Sequence, residues 1–191
     1  MTGQAQSIPR SRRRLSADER RIAILTAAKR VFGEAGYHET TTRDIAVAAG
    51  VSEALLYQHF PGKRQLFEEL VHWVISDLEA RLLAARESDH PTTAGLEAYF
   101  AFAEEESGLY RVFFREALQA DPAFRPLYVQ LSRRLVHLMD VENAISEAAT
   151  RALAGLITEL ALWWTEERPM TRDEVVQRAA RMVCAICDSE G

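Results

Sequence analysis

The constraint that bears hardest on this chain is the run "TTRDIAVAAGVSEALLYQHFPGKRQLF", Thr41 to Phe67. Thr41 and Asp44 are spaced as a capping box, so a helix starts at about Thr42 and runs to Ala49, with Ile45, Ala46 and Ala49 as its apolar stripe. Gly50 falls where the chain must turn sharply, and Ser52 is placed to cap a second short helix that turns Leu56 and Phe60 inward. Ala46 and Ala49 let the two helices pack closely. Two short helices joined by Ala49-Gly50-Val51-Ser52 have the pattern of a helix-turn-helix. An ordinary helical hairpin could share it, but the outer positions Thr41, Thr42, Arg43, Ser52, Tyr57, Gln58, His59 and Lys63 carry hydroxyls, an amide, an imidazole and cations. Those groups suit phosphate oxygens and base edges.

The rest of the chain is also helical in pattern. Residues 1–15, with Arg10, Arg12, Arg13 and Arg14, hold almost no apolar side chains and are expected to form a disordered basic arm. From Ser16, Ile24, Leu25, Ala28, Val31 and Phe32 recur at helical spacing until Gly36 closes the helix. After Lys63 an amphipathic segment runs to about residue 86. Further helices start at Pro91, after Gly108 and near Asp121-Pro122 or Pro126; a long one spans 142–167, and Thr171 with Glu174 caps a last one to about 187. No alternating strand pattern occurs. The expected architecture is all-α with about nine helices: a helix-turn-helix head over 16–62 and a helical body over 63–191.

Charge divides the same way. Residues 1–64 carry 11 Lys and Arg against 6 Asp and Glu, whereas residues 65–191 carry 12 against 22, although the whole chain is net -5. A basic head on an acidic body is expected when one end meets phosphates. No run of eighteen or more apolar residues marks a membrane span and no apolar stretch follows the basic N-terminus, so the expected compartment is the cytoplasm.

The segment Ile24 to Phe67, with its AA and F-G-Y pattern followed by T-x-R-D-I-A, A-G-V-S, L-Y-x-H-F and G-K blocks, resembles the DNA-binding domain of the tetracycline-repressor (TetR) family. The resemblance implies that Arg43 reaches a base and that Thr41 or Thr42 holds a phosphate at a helix start. It makes Ser52, Glu53, Ala54, Leu55 and Gln58 groove-facing candidates, and Tyr57, His59 and Lys63 backbone-gripping ones. Glu53 stands where the family often has Lys, and Leu55 where Thr is common, so this helix offers fewer donors.

A single head contacts one half-site, so the body is expected to form a homodimer. Ala148, Ala152 and Gly155 permit close approach, and Leu156, Leu160, Val176, Met182, Val183 and Ile186 supply apolar area. The resemblance implies a four-helix bundle from two helices of each subunit. Trp73, Phe100, Tyr110, Phe113, Phe114, Tyr128 and Trp163 concentrate aromatic rings in the middle helices, as around a pocket for a small apolar effector. His72, Arg111, Arg115 and His137 are candidates to orient a polar group on it. Enzymatic readings are weak: Cys184 and Cys187 lie on one helix with no second ligand pair, and no metal or nucleophile motif is present, so no cofactor is expected. The function expected is a DNA-binding repressor released by its effector. An activator, or a regulator with no small-molecule effector, is the alternative.

Overall fold

The computed structural model describes residues 16–139 and 146–188; the basic arm and the start of the helix expected from 142 lie outside them. Ser16 opens α1 (Ala17–Glu39) with a capping box, its Oγ accepting from Glu19 N while the Glu19 carboxylate accepts from Ser16 N at 2.8 Å. The regular part of α1 stops at Gly36, whose φ of 85° and ψ of 169° belong to a region essentially closed to other residues. There follow α2 (Thr42–Ala49), α3 (Glu53–His59), α4 (Lys63–Ala85) and α5 (Pro91–Glu105). Next, α6 (Ser107–Arg111) runs into a π-helical turn, Val112–Ala117, and a last turn, Leu118–Ala120. Asp121 caps a 3-10 turn, Pro122–Phe124, ahead of α7 (Arg125–Leu138), and α8 (Glu147–Glu167) and α9 (Arg172–Asp188) complete the nine helices of the described residues. α7 begins at Arg125, with Pro126 in its first turn, where its missing N–H leaves no bond unmade.

The head closes on Ile24, Leu25, Ala28 and Phe32 of α1, Ile45 and Ala46 of α2, and Leu56 and Phe60 around α3. α4 joins head to body, since Leu66 and Phe67 are buried beneath the head while Leu70, Val74, Ile75, Leu78 and Leu82 are buried along the body. Phe67 is the joint: its ring lies 4.9 Å from Phe32, 5.4 Å from Phe124 and 6.2 Å from Phe113. Each such buried ring is worth roughly 1.5–3 kcal/mol, so head and body share one apolar core rather than a hinge. α1 also crosses α6 closely, because a Cβ on Gly108 would sit 3.2 Å from the Gly33 carbonyl oxygen. Deeper in the body, Trp164 is fully buried edge-on to Phe100.

Candidate nucleic-acid interface and body cavities

α2 begins as its residues require. Thr41 Oγ1 accepts from Asp44 N, and the Asp44 carboxylate accepts from Thr41 N at 3.0 Å and from its hydroxyl at 2.5 Å. Those Thr41 bonds stabilise the ionised acid and hold the Asp44 carboxyl below its ordinary range. The helix ends on Gly50 in the left-handed conformation (φ 65°), where Gly50 N donates to Val47 O and Val51 N to Ala46 O. A Cβ at Gly50 would meet nothing within 4 Å, so glycine is there for its backbone freedom alone. Ser52 Oγ then accepts from Leu55 N and caps α3.

The expected DNA-facing residues fall into two groups. Arg43, Ala54 and Gln58 are exposed, and Arg43 and Gln58 have no hydrogen-bond or ion-pair partner among the described residues. Others are engaged within the head. The Thr42 hydroxyl donates to Glu53 Oε1 and lies 3.1 Å from the Tyr57 hydroxyl, which clasps the start of α2 to α3. Glu53, expected to face the groove, is exposed and accepts this bond on one of its two carboxylate oxygens. Lys63 Nζ donates to the carbonyls of Tyr37 and His38 at 2.9 and 3.2 Å and lies over the Tyr37 ring. Burial lowers its pKa, and Glu39 partly offsets that. Two of its three donors are thus spent holding α4 to the end of α1. Leu55 and His59 are half-buried, and the His59 carbonyl accepts from Arg21. Arg21 was not legible as a site residue: its guanidinium covers Phe60 and pairs with Glu69, contacts between residues far apart in sequence.

In the body, two narrow apolar cavities share a wall made by Ile75, Phe113 and Phe114. Each leaves only about 20 Å³ open to the centre of a water-sized sphere. Of the aromatic residues expected around a pocket, Tyr110, Phe113, Phe114 and Tyr128 line one or both. Trp73, Phe100 and Trp163 line neither. Phe100 is fully buried against Trp164, and Trp163 turns outward to donate its indole N–H to Glu167. Arg111 pairs with Glu116 and Arg115 with Glu166, and neither they nor His72 and His137 reach these walls. Sequence reasoning missed Tyr99 and Thr158, which do line the first cavity.

The cavity wall is wired to the head. The π-helical turn supplies Phe113 and Phe114 to the cavities, and three residues on it supplies Glu116, whose carboxylate accepts from Tyr37 N at 3.0 Å. A Cβ at Gly36 would lie 2.5 Å from that carboxylate.

On the outer side of α8 and α9, Ala148, Ala152 and Met182 are exposed, and Gly155, Leu156, Leu160 and Ile186 half-buried. Val176 and Val183 are core residues instead: each is 2% exposed and faces its own subunit, where α9 packs on α5 and α8. Cys184 is exposed and Cys187 half-buried, both as free thiols, and the described residues hold no cluster of three or more His, Cys, Asp or Glu arranged to bind a metal. No helix among them is long and apolar enough to cross a membrane.

A three-helix head with a glycine-turned second pair, seated on a helical body, defines the class of helix-turn-helix regulators. Residues 24–70 match Bacterial regulatory proteins, tetR family. Over 177 residues the chain is 29% identical to the HTH-type transcriptional activator FasR of Mycolicibacterium smegmatis, covering 86% of this chain and 81% of FasR. It is 33% identical over 127 residues to the nucleoid occlusion factor SlmA of Haemophilus influenzae, 64% of this chain but only 56% of SlmA. A tetR-family transcriptional regulator from Streptomyces coelicolor shares the fold, with a TM-score of 0.75 at 22% identity over 92% of this chain and 83% of that one. Residues 24–70 thus match the TetR-family DNA-binding head, and the described fold as a whole is the one TetR-family regulators share.

Proposed function

We propose that this protein is a cytoplasmic homodimer that reads a palindromic operator through α2 and α3 and lets go when a small, largely apolar molecule enters the body. The carrying observation is that one π-helical turn supplies both the cavity wall and the Glu116 contact to the head. The cavities are tight, each with room for about one water, so a ligand must push Phe113 and Phe114 aside. Moving them drags Glu116, and with it the end of α1 that Lys63 ties to α4. A ligand preferring the displaced arrangement about 100-fold supplies roughly 2.7 kcal/mol against operator binding.

Dimerisation through α8 and α9 is supported by Gly155. A mid-helix glycine costs about 1 kcal/mol relative to alanine. A Cβ there would meet nothing within 4 Å in its own subunit, so the absent side chain leaves room for a second copy. Paired heads would then meet half-sites about 34–36 Å apart. The name of FasR favours a second reading, that the bound state activates transcription instead of repressing it.

Selection of duplexes from a random pool, followed by binding at two salt concentrations, tests the proposal. Affinity for the selected duplex should fall as salt rises and fall further in Arg43→Ala. Equal affinity for selected and random DNA would exclude it. A reporter carrying the selected duplex, with and without the protein, separates repression from activation.

A further inference from the structure

The Tyr99 hydroxyl lies 2.8 Å from that of Tyr110 and 3.4 Å from that of Thr158, and the Tyr110 hydroxyl donates to the Thr158 carbonyl. This trio is the polar seam between the two cavities, since Tyr99 and Thr158 line the first and Tyr110 the second. The two longer contacts are weak, so an oxygen arriving beside them can take a hydroxyl hydrogen without leaving a buried donor stranded. Burial pushes both tyrosine pKa values up, so the seam stays uncharged.

The walls themselves hold a single charged residue. The first cavity has no charged lining residue, and the second has only Glu106, already paired with Lys29. An outward cleft shares Tyr128, Ser132 and Ala154 with the first cavity and is lined by Arg133, Glu147 and Arg151. Glu147 bridges both arginines at 2.6 and 2.9 Å, so the cleft keeps a single net positive charge, which lies outside the uncharged lining of the first cavity. Burying an unpaired carboxylate or ammonium in such walls costs several kcal/mol, far more than a hydroxyl that finds a partner.

We infer that the effector is an electrically neutral amphiphile, a hydrocarbon body carrying one hydrogen-bonding oxygen that docks on Tyr99 and Thr158. This rests on the effector reading above and narrows it to a chemical class. Tyr99 and Thr158 select the oxygen, and the uncharged lining of the first cavity rejects ions.

Calorimetry on the full-length protein near neutral pH, with decanol, decanoate and decylamine as probes of equal chain length, tests this. Decanol should bind, and the two ions at least about tenfold more weakly. Tyr99→Phe and Thr158→Val should each lower decanol affinity about three- to tenfold, and Thr158→Ser should restore it. Decanoate or decylamine binding as tightly as decanol, or full decanol affinity in both variants, would overturn the inference and leave the effector reading standing. Binding of none of the three would remove that reading as well, and the inference with it.

Discussion

Head and body keep their polar groups in opposite places. In the head, the hydroxyls of Thr42, Ser52 and Tyr57 and the Arg43 guanidinium lie at the surface over an interior of Ile24, Ile45, Leu56 and Phe60. In the body, the hydroxyls of Tyr99, Tyr110 and Thr158 are buried between cavities, while the surface is covered by ion pairs such as Arg115 with Glu166 and Arg168 with Glu104. A region with donors outside is built to meet a polar polymer; one with hydroxyls inside an apolar shell is built to enclose something. The body's surface pairs, all partly exposed, add little stability of their own.

The largest effect should come from separating the two copies of the proposed dimer. Ala152→Glu places a carboxylate on an exposed position of α8 and leaves the single subunit's core untouched. Light scattering should report a monomer, and operator affinity should drop toward the non-specific level, a loss of about 4 kcal/mol or more. A dimeric variant with intact binding would place the interface elsewhere.

Gly36→Val strikes the junction where head and body meet. Its cost combines a backbone region open essentially only to glycine with the displaced Glu116 carboxylate, in all about 2–4 kcal/mol, readable as a lower urea midpoint. Glu116→Gln is the finer tool. It keeps the shape and weakens the bond to Tyr37 N, so operator affinity should change little while the response to a cavity ligand shrinks. Equal ligand response in Glu116→Gln and the parent would disconnect body from head along this route.

Arg43→Ala should cost about 1–3 kcal/mol of operator affinity and relax selectivity at one base pair, the worth of a guanidinium on a guanine edge. Lys63→Met should act differently. Two of the Lys63 donors hold α1 carbonyls, so the loss should appear in folding stability before it appears in sequence preference. If the two variants behave alike, the division of the head into free and engaged cations fails.

The same contrast explains what was legible in the sequence. The head could be read because its devices are local: Thr41 with Asp44, Gly50 after the stripe, and Ser52 before Leu56 all act within four residues. Helix starts in the body were readable for the same reason, as at Thr171 with Glu174. What stayed hidden depends on residues far apart in the chain. Glu116 meets Tyr37 and Tyr99 meets Thr158 only once α6 and α8 are packed, and no spacing announces either. Helical periodicity marked Val176 and Val183 as apolar but could not say whether they faced their own core or a second copy. It also drew one helix through Val112–Ala117, where an inserted residue makes the π-helical turn.

The smallest effect is one of pH, and it treats head and body alike. Asp44 in the head and Glu174 in the body both have carboxyl pKa values lowered by hydrogen bonds from the threonine three residues earlier. A carboxylate depressed in the folded state adds stability that is fully present above its unfolded value, about 4, and is lost as pH falls through the folded value. Lys63 runs the other way: burial lowers its pKa, so the cost of its charge is full at neutral pH and is relieved only as pH rises through its folded value. Acid should therefore loosen both caps without help from Lys63. Urea unfolding of the parent, Asp44→Ala and Glu174→Ala should show each variant less stable at neutral pH, with the gap closing below about pH 4. If one gap closes and the other persists, the two caps differ in some way that their matching hydrogen bonds do not account for. If both persist unchanged into acid, the carboxylate charge is not what the caps use, and packing around Thr41 and Thr171 must hold those helix starts instead.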